Sequence, residues 1–366
     1  MSFPAAIRKT SIGGLIPLLL LLVTFATTPG CKRHGGRTGE VAYVSAPMVP
    51  LRDRVATVFN KVGTAKNAER VEVLERTNNR RFVRVRTSNG VEGWIEQRSL
   101  VDQKVFDGFQ KLVQENQNSP AQATAVTHSE SNLHVTPGRD TEHLYQLPQG
   151  EKIILLKRST AEKVAPGGAS PRSAKQKKPA GSMASAVAAP TVLEDWWLVR
   201  DSQNHVGWLL GRLVDLDIPL EIAQYSEGQH LVAFFVLNEV SDRTEANQEK
   251  KVPQYLVLFT DTKEGQLYDY NQIRVFTWNV KRHRYETAYR EHKLFGVLPV
   301  TQGHQDFGKE GNLPVFTLHV RDEAAKDDTG KDDATKIVER KYKLNTPMVR
   351  RVFAAGEEAA SAHKKN

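Results

Sequence analysis

Cysteine is almost absent from this chain: Cys31 is the only one among 366 residues. No disulfide can form within a single chain, so its folded parts must be held together by their hydrophobic cores alone. Familiar catalytic motifs are also missing, since there is no His-Glu-x-x-His pair, phosphate-binding loop or nucleophile elbow. The 11 histidines show no metal-ligand spacing. We therefore predict no metal, no cofactor and no catalytic residue.

The start of the chain has the layout of a secretory signal. Arg8 and Lys9 form a basic region, an apolar run extends from Leu15 to Val23, and small residues then lead to Gly30. The Gly-Cys pair that Gly30 forms with Cys31 resembles a bacterial lipobox, the site at which a leader is removed and the cysteine becomes lipid-modified.

This resemblance implies a signal peptide over 1–30, a lipid anchor on Cys31 and a flexible tether over 31–40. The protein would then face the periplasm or the exterior, attached to a membrane of the cell envelope. A lipidated Cys31 would also exclude cysteine-dependent peptidases and transpeptidases. An ordinary cleaved signal and an uncleaved membrane anchor remain the alternatives, although the apolar run is shorter than the roughly 20 residues of a spanning helix.

Positive charge is concentrated in two segments that are poor candidates for folding. The net charge is +9, and segments 1–40 and 161–190 each contribute +4, because each has five cations and one glutamate. The remainder is close to neutral, so composition gives no sign of a basic groove on a folded domain, and we expect no nucleic-acid partner. Flexible basic segments suit an anionic lipid or wall polymer, or serve only as solvated linkers.

A pattern of strands occurs twice along the chain, 114 positions apart. In the first copy, Arg81–Arg86 alternates polar and apolar residues, and an Asn-Gly turn leads to a Gly-Trp pair at 93–94. In the second copy, Trp196–Arg200 matches the strand Phe82–Arg86 of the first copy and leads to a Gly-Trp pair at 207–208. This gap-free register predicts an internal duplication of a small unit.

Composition and periodicity divide the rest of the chain. Apolar residues at helical spacing predict a short linker helix within 103–120. A stretch rich in Ala, Pro, Lys, Gly and Ser predicts a disordered insertion at 161–190. Beyond it, about six strands predict an antiparallel β-sandwich or barrel. The predicted chain is therefore all-β, with small barrels at 41–102 and 121–216, a C-terminal β domain at 217–350 and a disordered tail at 351–366.

An ordered set of short motifs is present in both copies. These motifs are Leu51-Arg52, Phe82–Val85, Gly93–Ile95 and Leu100-Val101 in the first copy, and Leu133-His134, Trp196–Val199, Gly207–Leu209 and Leu213-Val214 in the second. The set resembles the bacterial SH3-like domain, although the second copy departs from it in its Leu-His entry and its insertion. The resemblance implies a strongly bent barrel with a shallow groove that binds peptidoglycan or another envelope protein and catalyses no reaction.

Candidate ligand-binding residues follow from strand alternation. Val83 and Val85 share one face of their strand, so Phe82, Arg84 and Arg86 share the other. An aromatic ring beside an arginine on a half-solvated face could stack on a ligand and pair with its carboxylate. With their counterparts in the second copy and the two Gly-Trp tryptophans, the candidates are Phe82, Arg84, Arg86, Trp94, Trp196, Arg200 and Trp208. The alternative is that the aromatic residues only cover or fill the barrels.

Aromatic residues are also dense in the C-terminal domain. Phe276 and Trp278 share a strand face, and Tyr285 and Tyr289 share another across a predicted hairpin. They form either a sheet core or an exposed surface for a partner. A hydrolase with its catalytic unit in 217–350 and a protein–protein assembly module remain the alternatives to a wall-binding protein.

Overall fold

The described part of the protein forms three antiparallel sheets, which confirms the predicted all-β class. A computed structural model describes residues 39–163, 192–243, 249–322 and 336–353. The predicted signal peptide, Cys31 and most of the predicted insertion and tail lie outside these ranges. Within them, no helix is long and apolar enough to cross a membrane.

The first sheet contains seven short strands. They are β1 (Glu40–Val44), β2 (Met48–Arg52), β3 (Lys61–Lys66), β4 (Arg70–Arg76), β5 (Phe82–Thr87), β6 (Glu92–Glu96) and β7 (Leu100–Asp102). Their order across the sheet is β3-β2-β6-β5-β4-β1-β7. Because side chains alternate along a strand, Val83, Val85 and Ile95 all turn inward, and they are fully buried in one core.

The second sheet repeats this topology. Its strands are β8 (Ala123–Thr127), β9 (Ser131–His134), β10 (His143–Leu147), β11 (Lys152–Glu162), β12 (Leu193–Asp201), β13 (Val206–Leu210) and β14 (Val214–Leu216). Their order is β10-β9-β13-β12-β11-β8-β14. The pairing also repeats, because Leu198 lies opposite Trp208 just as Arg84 lies opposite Trp94.

The glycine of each Gly-Trp pair is required by a close approach of strands. A Cβ on Gly93 would lie 2.7 Å from Cβ of Leu51, and a Cβ on Gly207 would lie 2.8 Å from Cβ of Leu133. Real Cβ atoms do not approach other atoms this closely, so only glycine fits where β6 crosses β2 and β13 crosses β9.

Helix α1 (Gln103–Glu115) lies between these two sheets and contacts both. Phe106 stacks on Tyr43 of the first sheet, with ring centres 4.2 Å apart. Phe109 is fully buried and lies edge-on to Tyr145 of the second sheet, with ring centres 5.1 Å apart. The predicted linker helix is therefore packed along its apolar side.

The third sheet is a meander in which every strand pairs with the next. Its strands are β15 (His230–Arg243), β16 (Glu249–Thr260), β17 (Tyr270–Asn279), β18 (Arg284–Asp306), β19 (Asn312–Arg321), β20 (Ile337–Asn345) and β21 (Met348–Val352), and a short helix α2 (Leu220–Ala223) precedes them. The long strand β18 pairs with β17 up to Gly296 and with β19 from Gly296 onward. It thus joins two halves of the sheet, which pack around a shared core.

The third sheet is covered on both faces. Leu256 and Leu258 of β16 belong to a core shared with the second sheet, whereas Val257 and Phe259 face a separate cluster. Ile222 of α2 is fully buried in that separate cluster. Such continuous apolar strands result from burial on both sides.

Two amide side chains, one half-buried and one buried, link the sheets to one another. Asn67 donates to the carbonyl of Leu144 at 2.7 Å and accepts from the amide of Gln146 at 3.2 Å. Gln122 accepts from the amide of Val300 at 2.7 Å and donates to its carbonyl at 3.3 Å. In both places, a side-chain amide satisfies backbone groups of the following sheet.

Two predicted boundaries differ from those in the structure. The ladder between β11 and β12 continues as far as Glu162, opposite Leu193, so residues 161 and 162 belong to a strand. The tail predicted at 351–366 begins inside β21, where Arg351 pairs with Tyr342. The linker helix lies within the predicted range and ends at Glu115, because Asn116 leaves the helical conformation.

Candidate functional site

The outer face of the first sheet combines aromatic rings with arginines. Arg52 lies at the end of β2, and its guanidinium carbon is 4.2 Å from the ring centre of Phe59 and 5.2 Å from that of Phe82. Trp94 is half-buried and lies opposite both Arg52 and Arg84 in the sheet. We call these residues, Arg52, Phe59, Phe82, Arg84 and Trp94, the aromatic–arginine face.

The loop that carries Phe59 is fixed at its base. Asp53 accepts hydrogen bonds from the backbone amide of Asn60 at 2.9 Å and from its side chain at 3.1 Å. Hydrogen bonds from Arg54 and Asn60 lower the pKa of Asp53 to about 2, so the carboxylate stays charged above that pH. The loop between β2 and β3 therefore holds Phe59 against Arg52.

Phe82 does not lie on an open face, contrary to the expectation from alternation. Its side chain is 8% exposed, because it is covered by the guanidinium groups of Arg52 and Arg81. Phe59 and Trp94 are the rings of this face that keep part of their surface in solvent. Phe82 thus lies beneath the guanidinium groups and packs against them.

The two arginines predicted beside Phe82 already have carboxylate partners. Arg84 pairs with Glu92 at 2.9 Å, and Arg86 pairs with Glu92 at 2.6 Å and with Glu72 at 2.9 Å. Hydrogen bonding to Arg86 lowers the pKa of Glu92, which keeps this pair charged. Arg86 therefore contributes mainly to pairing between strands.

The same face of the second sheet is closed by helix α1. Where the first sheet has Arg84 and Glu92, the second has Leu198 and Val206, which are buried against Leu112 of the helix and its neighbour Val113. In the second sheet this face is apolar, and the helix covers it.

The predicted ligand residues of the second sheet serve this packing. Trp196 is 2% exposed and Trp208 is half-buried beside the helix. Arg200 donates to the carbonyl of Asn116 at 2.6 Å, where it satisfies the C-terminal end of the helix. The three residues correspond in position to Phe82, Trp94 and Arg86, but Trp196 is buried, Trp208 packs beside the helix and Arg200 is bonded to the end of the helix.

The loop between β9 and β10 is tied to strand β12 two residues before Trp196. Arg139 of the loop between β9 and β10 pairs with Glu194, with Nε 2.7 Å from Oε2. The side chain of Glu194 is buried, and the hydrogen bond from Arg139 lowers its pKa. His134 takes the place of Arg52, with its ring centre 5.2 Å from that of Trp196, and Thr141 accepts or donates at its Nδ1 at 2.9 Å.

His134 makes the stability of the second sheet pH-dependent. Burial lowers its pKa from 6.5 to about 4, and the charge of His143 adds to the shift. The unfolded chain thus binds more protons than the folded one between these pH values, so stability is lost as the pH falls from about 6.5 towards 4. We expect the melting temperature to decrease over this range, and less so in His134→Gln. If the melting temperatures of the two proteins decreased equally from pH 7 to 4, this assignment would be contradicted.

The candidate partner surface of the C-terminal domain is mostly a core. Phe276 and Tyr285 are buried, and Trp278 donates to Asp242 at 2.7 Å. Tyr289 lies on the opposite face, where it packs near Tyr342.

A β-bulge explains why Tyr285 and Tyr289 do not share a face. Val275 pairs with Tyr289 and Phe276 pairs with Thr287, so one residue of β18 has no partner between them. The extra residue reverses the alternation, which the sequence pattern could not reveal.

Sequence reasoning overlooked Arg52 and Phe59 as members of the site. Arg52 was present in the Leu-Arg motif that carried the family resemblance, but its neighbours were unknown. Phe59 comes from an irregular loop that has no periodicity. In the described part of the chain, no group of three or more His, Cys, Asp or Glu side chains is placed to hold a metal ion.

Comparison with known proteins identifies one part of the chain. Residues 49–101 match the family model of the bacterial SH3 domain, and they include most of the first sheet and its aromatic–arginine face. No curated protein matches the chain. Among solved structures, it is similar to NlpC2 from Trichomonas vaginalis at 8% identity, over 71% of this chain and 99% of that chain. The TM-score of 0.17 is too low for this likeness to support a fold or an activity.

Proposed function

We propose that this protein binds cell-wall peptidoglycan through the aromatic–arginine face of the first sheet, without catalysing a reaction. The observation that carries the proposal is Arg52 held between Phe59 and Phe82 beside the half-buried Trp94, inside the segment that matches the bacterial SH3 domain. A partly exposed indole next to a guanidinium offers a flat apolar surface and several donors, which suits a sugar ring or a short peptide.

The second sheet is proposed to be a second copy of the same domain that serves as a scaffold. The shared strand order and pairing support a common origin. Its equivalent face is filled by Leu112 and Val113 of α1, so binding is assigned to the first sheet alone.

We also propose that the protein is exported and carries a lipid anchor on Cys31. They are supported by the order of basic, apolar and small residues before Cys31. An anchored protein facing the periplasm or exterior would have the first sheet within reach of the wall. An envelope protein as the partner, or a hydrolytic activity in 217–350, are the competing assignments.

Trp94→Leu is the variant that tests this function. Loss of the indole is expected to weaken binding of the full-length protein to purified peptidoglycan sacculi about tenfold, because leucine keeps the packing but cannot stack in the same way. Co-sedimentation over a range of sacculus concentrations measures the effect.

Trp208→Leu provides the matched control, since Trp208 occupies the same position in the second sheet. It is expected to change binding by about twofold or less. Equal losses in the two variants would contradict the assignment to the first sheet. If the parent protein did not sediment with sacculi at all, the wall-binding function would be wrong and an envelope protein would become the first candidate.

A further inference from the structure

Three arginines surround a cleft at one end of the first sheet. Arg80 and Arg81 belong to the turn between β4 and β5, and Arg98 follows β6. Together with Glu96 and Gln97, they line a cleft of about 330 Å³. The cleft adjoins the aromatic–arginine face, because the guanidinium of Arg81 lies 5.6 Å from the ring centre of Phe82.

The cleft has more positive charge than its carboxylate can balance. Among the described residues, Arg80 and Arg81 form no ion pair, and both are exposed. Arg98 is 84% exposed and pairs with Glu96 at 2.6 Å. Glu96 also pairs with Arg52 at 3.3 Å, so its single charge is shared.

The turn that presents Arg80 and Arg81 is held by its own hydrogen bonds. Asn79 Oδ1 accepts from the amide of Arg81 at 3.1 Å and from the hydroxyl of Thr77 at 2.8 Å. The backbone of Arg80 has a φ of 51°, a left-handed conformation that costs energy for a residue with a Cβ. A fixed turn reduces the entropy lost when its side chains bind a ligand.

The second sheet shows that the fold does not require these cations. Immediately before Trp196 it carries Glu194 and Asp195, at the positions where the first sheet has Arg80 and Arg81 before Phe82. These acids are neutralised inside the protein, Glu194 by Arg139 and Asp195 by Arg158. The second sheet thus has acidic residues at these positions and pairs them inside the protein. The first sheet has arginines there that form no ion pair among the described residues.

We propose that the cleft formed by Arg80, Arg81 and Arg98 binds carboxylate groups of the peptidoglycan stem peptides, next to the aromatic–arginine face. This inference rests on the proposed wall-binding function and assigns its ligand chemistry. Guanidinium groups match carboxylates with two parallel hydrogen bonds, and two adjacent arginines on one turn can engage neighbouring carboxylates.

The test compares charge-reversed variants of the full-length protein on three preparations of sacculi. The variant Arg80→Glu with Arg81→Asp introduces the residues that the second sheet carries at these positions. The control, Arg70→Glu with Lys104→Asp, makes the same charge change at two exposed residues that form no ion pair within the described part of the chain. The sacculi are stripped of phosphodiester polymers, stripped and then amidated at their carboxylates, or left unstripped.

On stripped sacculi, the cleft variant is expected to bind about tenfold more weakly than the parent, and the control variant about twofold or less. Amidation is expected to weaken the parent by a similar factor and to leave the cleft variant unchanged. Circular dichroism and melting temperatures check that each variant is folded, and Arg80→Gln with Arg81→Gln is the replacement if charge reversal unfolds the turn.

Three results would overturn the inference. Undiminished binding of the parent to amidated sacculi would exclude stem-peptide carboxylates while leaving the wall-binding function in place. Equal losses of binding in the cleft and control variants would show that net charge alone causes the effect. Binding only to unstripped sacculi would assign the anion to a phosphodiester polymer. Failure of the parent on every preparation would instead reject the wall-binding function itself.

Discussion

Replacing Arg158 with methionine is expected to lower the free energy of unfolding by about 3–5 kcal/mol. The side chain of Arg158 is 8% exposed and lies between the second and third sheets. It pairs with Asp195 at 2.6 Å and with Asp269 at 3.2 Å, and it donates to the carbonyl of Tyr268 at 2.8 Å. Removing the cation leaves two carboxylates at this junction without their common partner.

The electrostatics of Asp269 explain the size of this effect. Burial raises the pKa of Asp269, and the neighbouring charge of Arg158 opposes that rise. Without Arg158, the hydrogen bond from the amide of Leu298 remains, but the cost of keeping the buried carboxylate charged is offset less. Denaturation by guanidinium, followed for the parent and the variant, measures the loss.

Lys157→Met is the control for Arg158→Met. Lys157 is the preceding residue of β11, is exposed and forms no ion pair within the described residues. Its replacement is expected to change stability by about 0.5 kcal/mol or less. A difference between the two variants below about 1 kcal/mol would show that the junction gains little from the buried cation.

Gly296→Ala is expected to destabilise the third sheet by about 3 kcal/mol or more. A Cβ at this position would overlap Cε2 and Cζ of the Tyr270 ring. Tyr270 is fully buried and donates to the carbonyl of His319 at 3.1 Å, so its ring cannot withdraw without losing that bond. The clash falls where β18 changes its partner from β17 to β19.

Gly303→Ala, on the same strand, separates this clash from a general effect of alanine. A Cβ on Gly303 meets no atom within 4 Å. We expect this variant to be as stable as the parent, or more stable by a few tenths of a kcal/mol because alanine has less freedom in the unfolded chain. Thermal melting of both variants makes the comparison, and equal melting temperatures would show that the strand shifts to accommodate the methyl group.

Strand alternation and motif spacing predicted most of the first two sheets. The repeated Gly-Trp pairs at 93–94 and 207–208 lie at matching positions in two sheets of the same strand order. The hairpin between Asn279 and Arg284 also occurs as predicted. These features depend on neighbours along the chain, for which sequence periodicity is a direct signal.

The candidate site was only partly predictable, because its contacts join residues that are not neighbours in the strand pattern. Arg52 and Phe59 meet because a loop folds back onto the end of β2, and nothing in the local pattern indicates that contact. The bulge opposite Val275 and Phe276 reversed the face of Tyr289 in the same unpredictable way. One additional residue is enough to exchange the two faces of a strand.

The sequence by itself determined the all-β class, the repeated strand pattern and the matching positions of the two Gly-Trp pairs. Only the tertiary structure decided which copy keeps an open face. Leu198 and Val206 follow the same alternation as Arg84 and Glu92, but helix α1 covers the former pair and leaves the latter in solvent. Whether a face is open depends on which distant element packs against it, and packing between distant elements is not encoded in the period of a single strand.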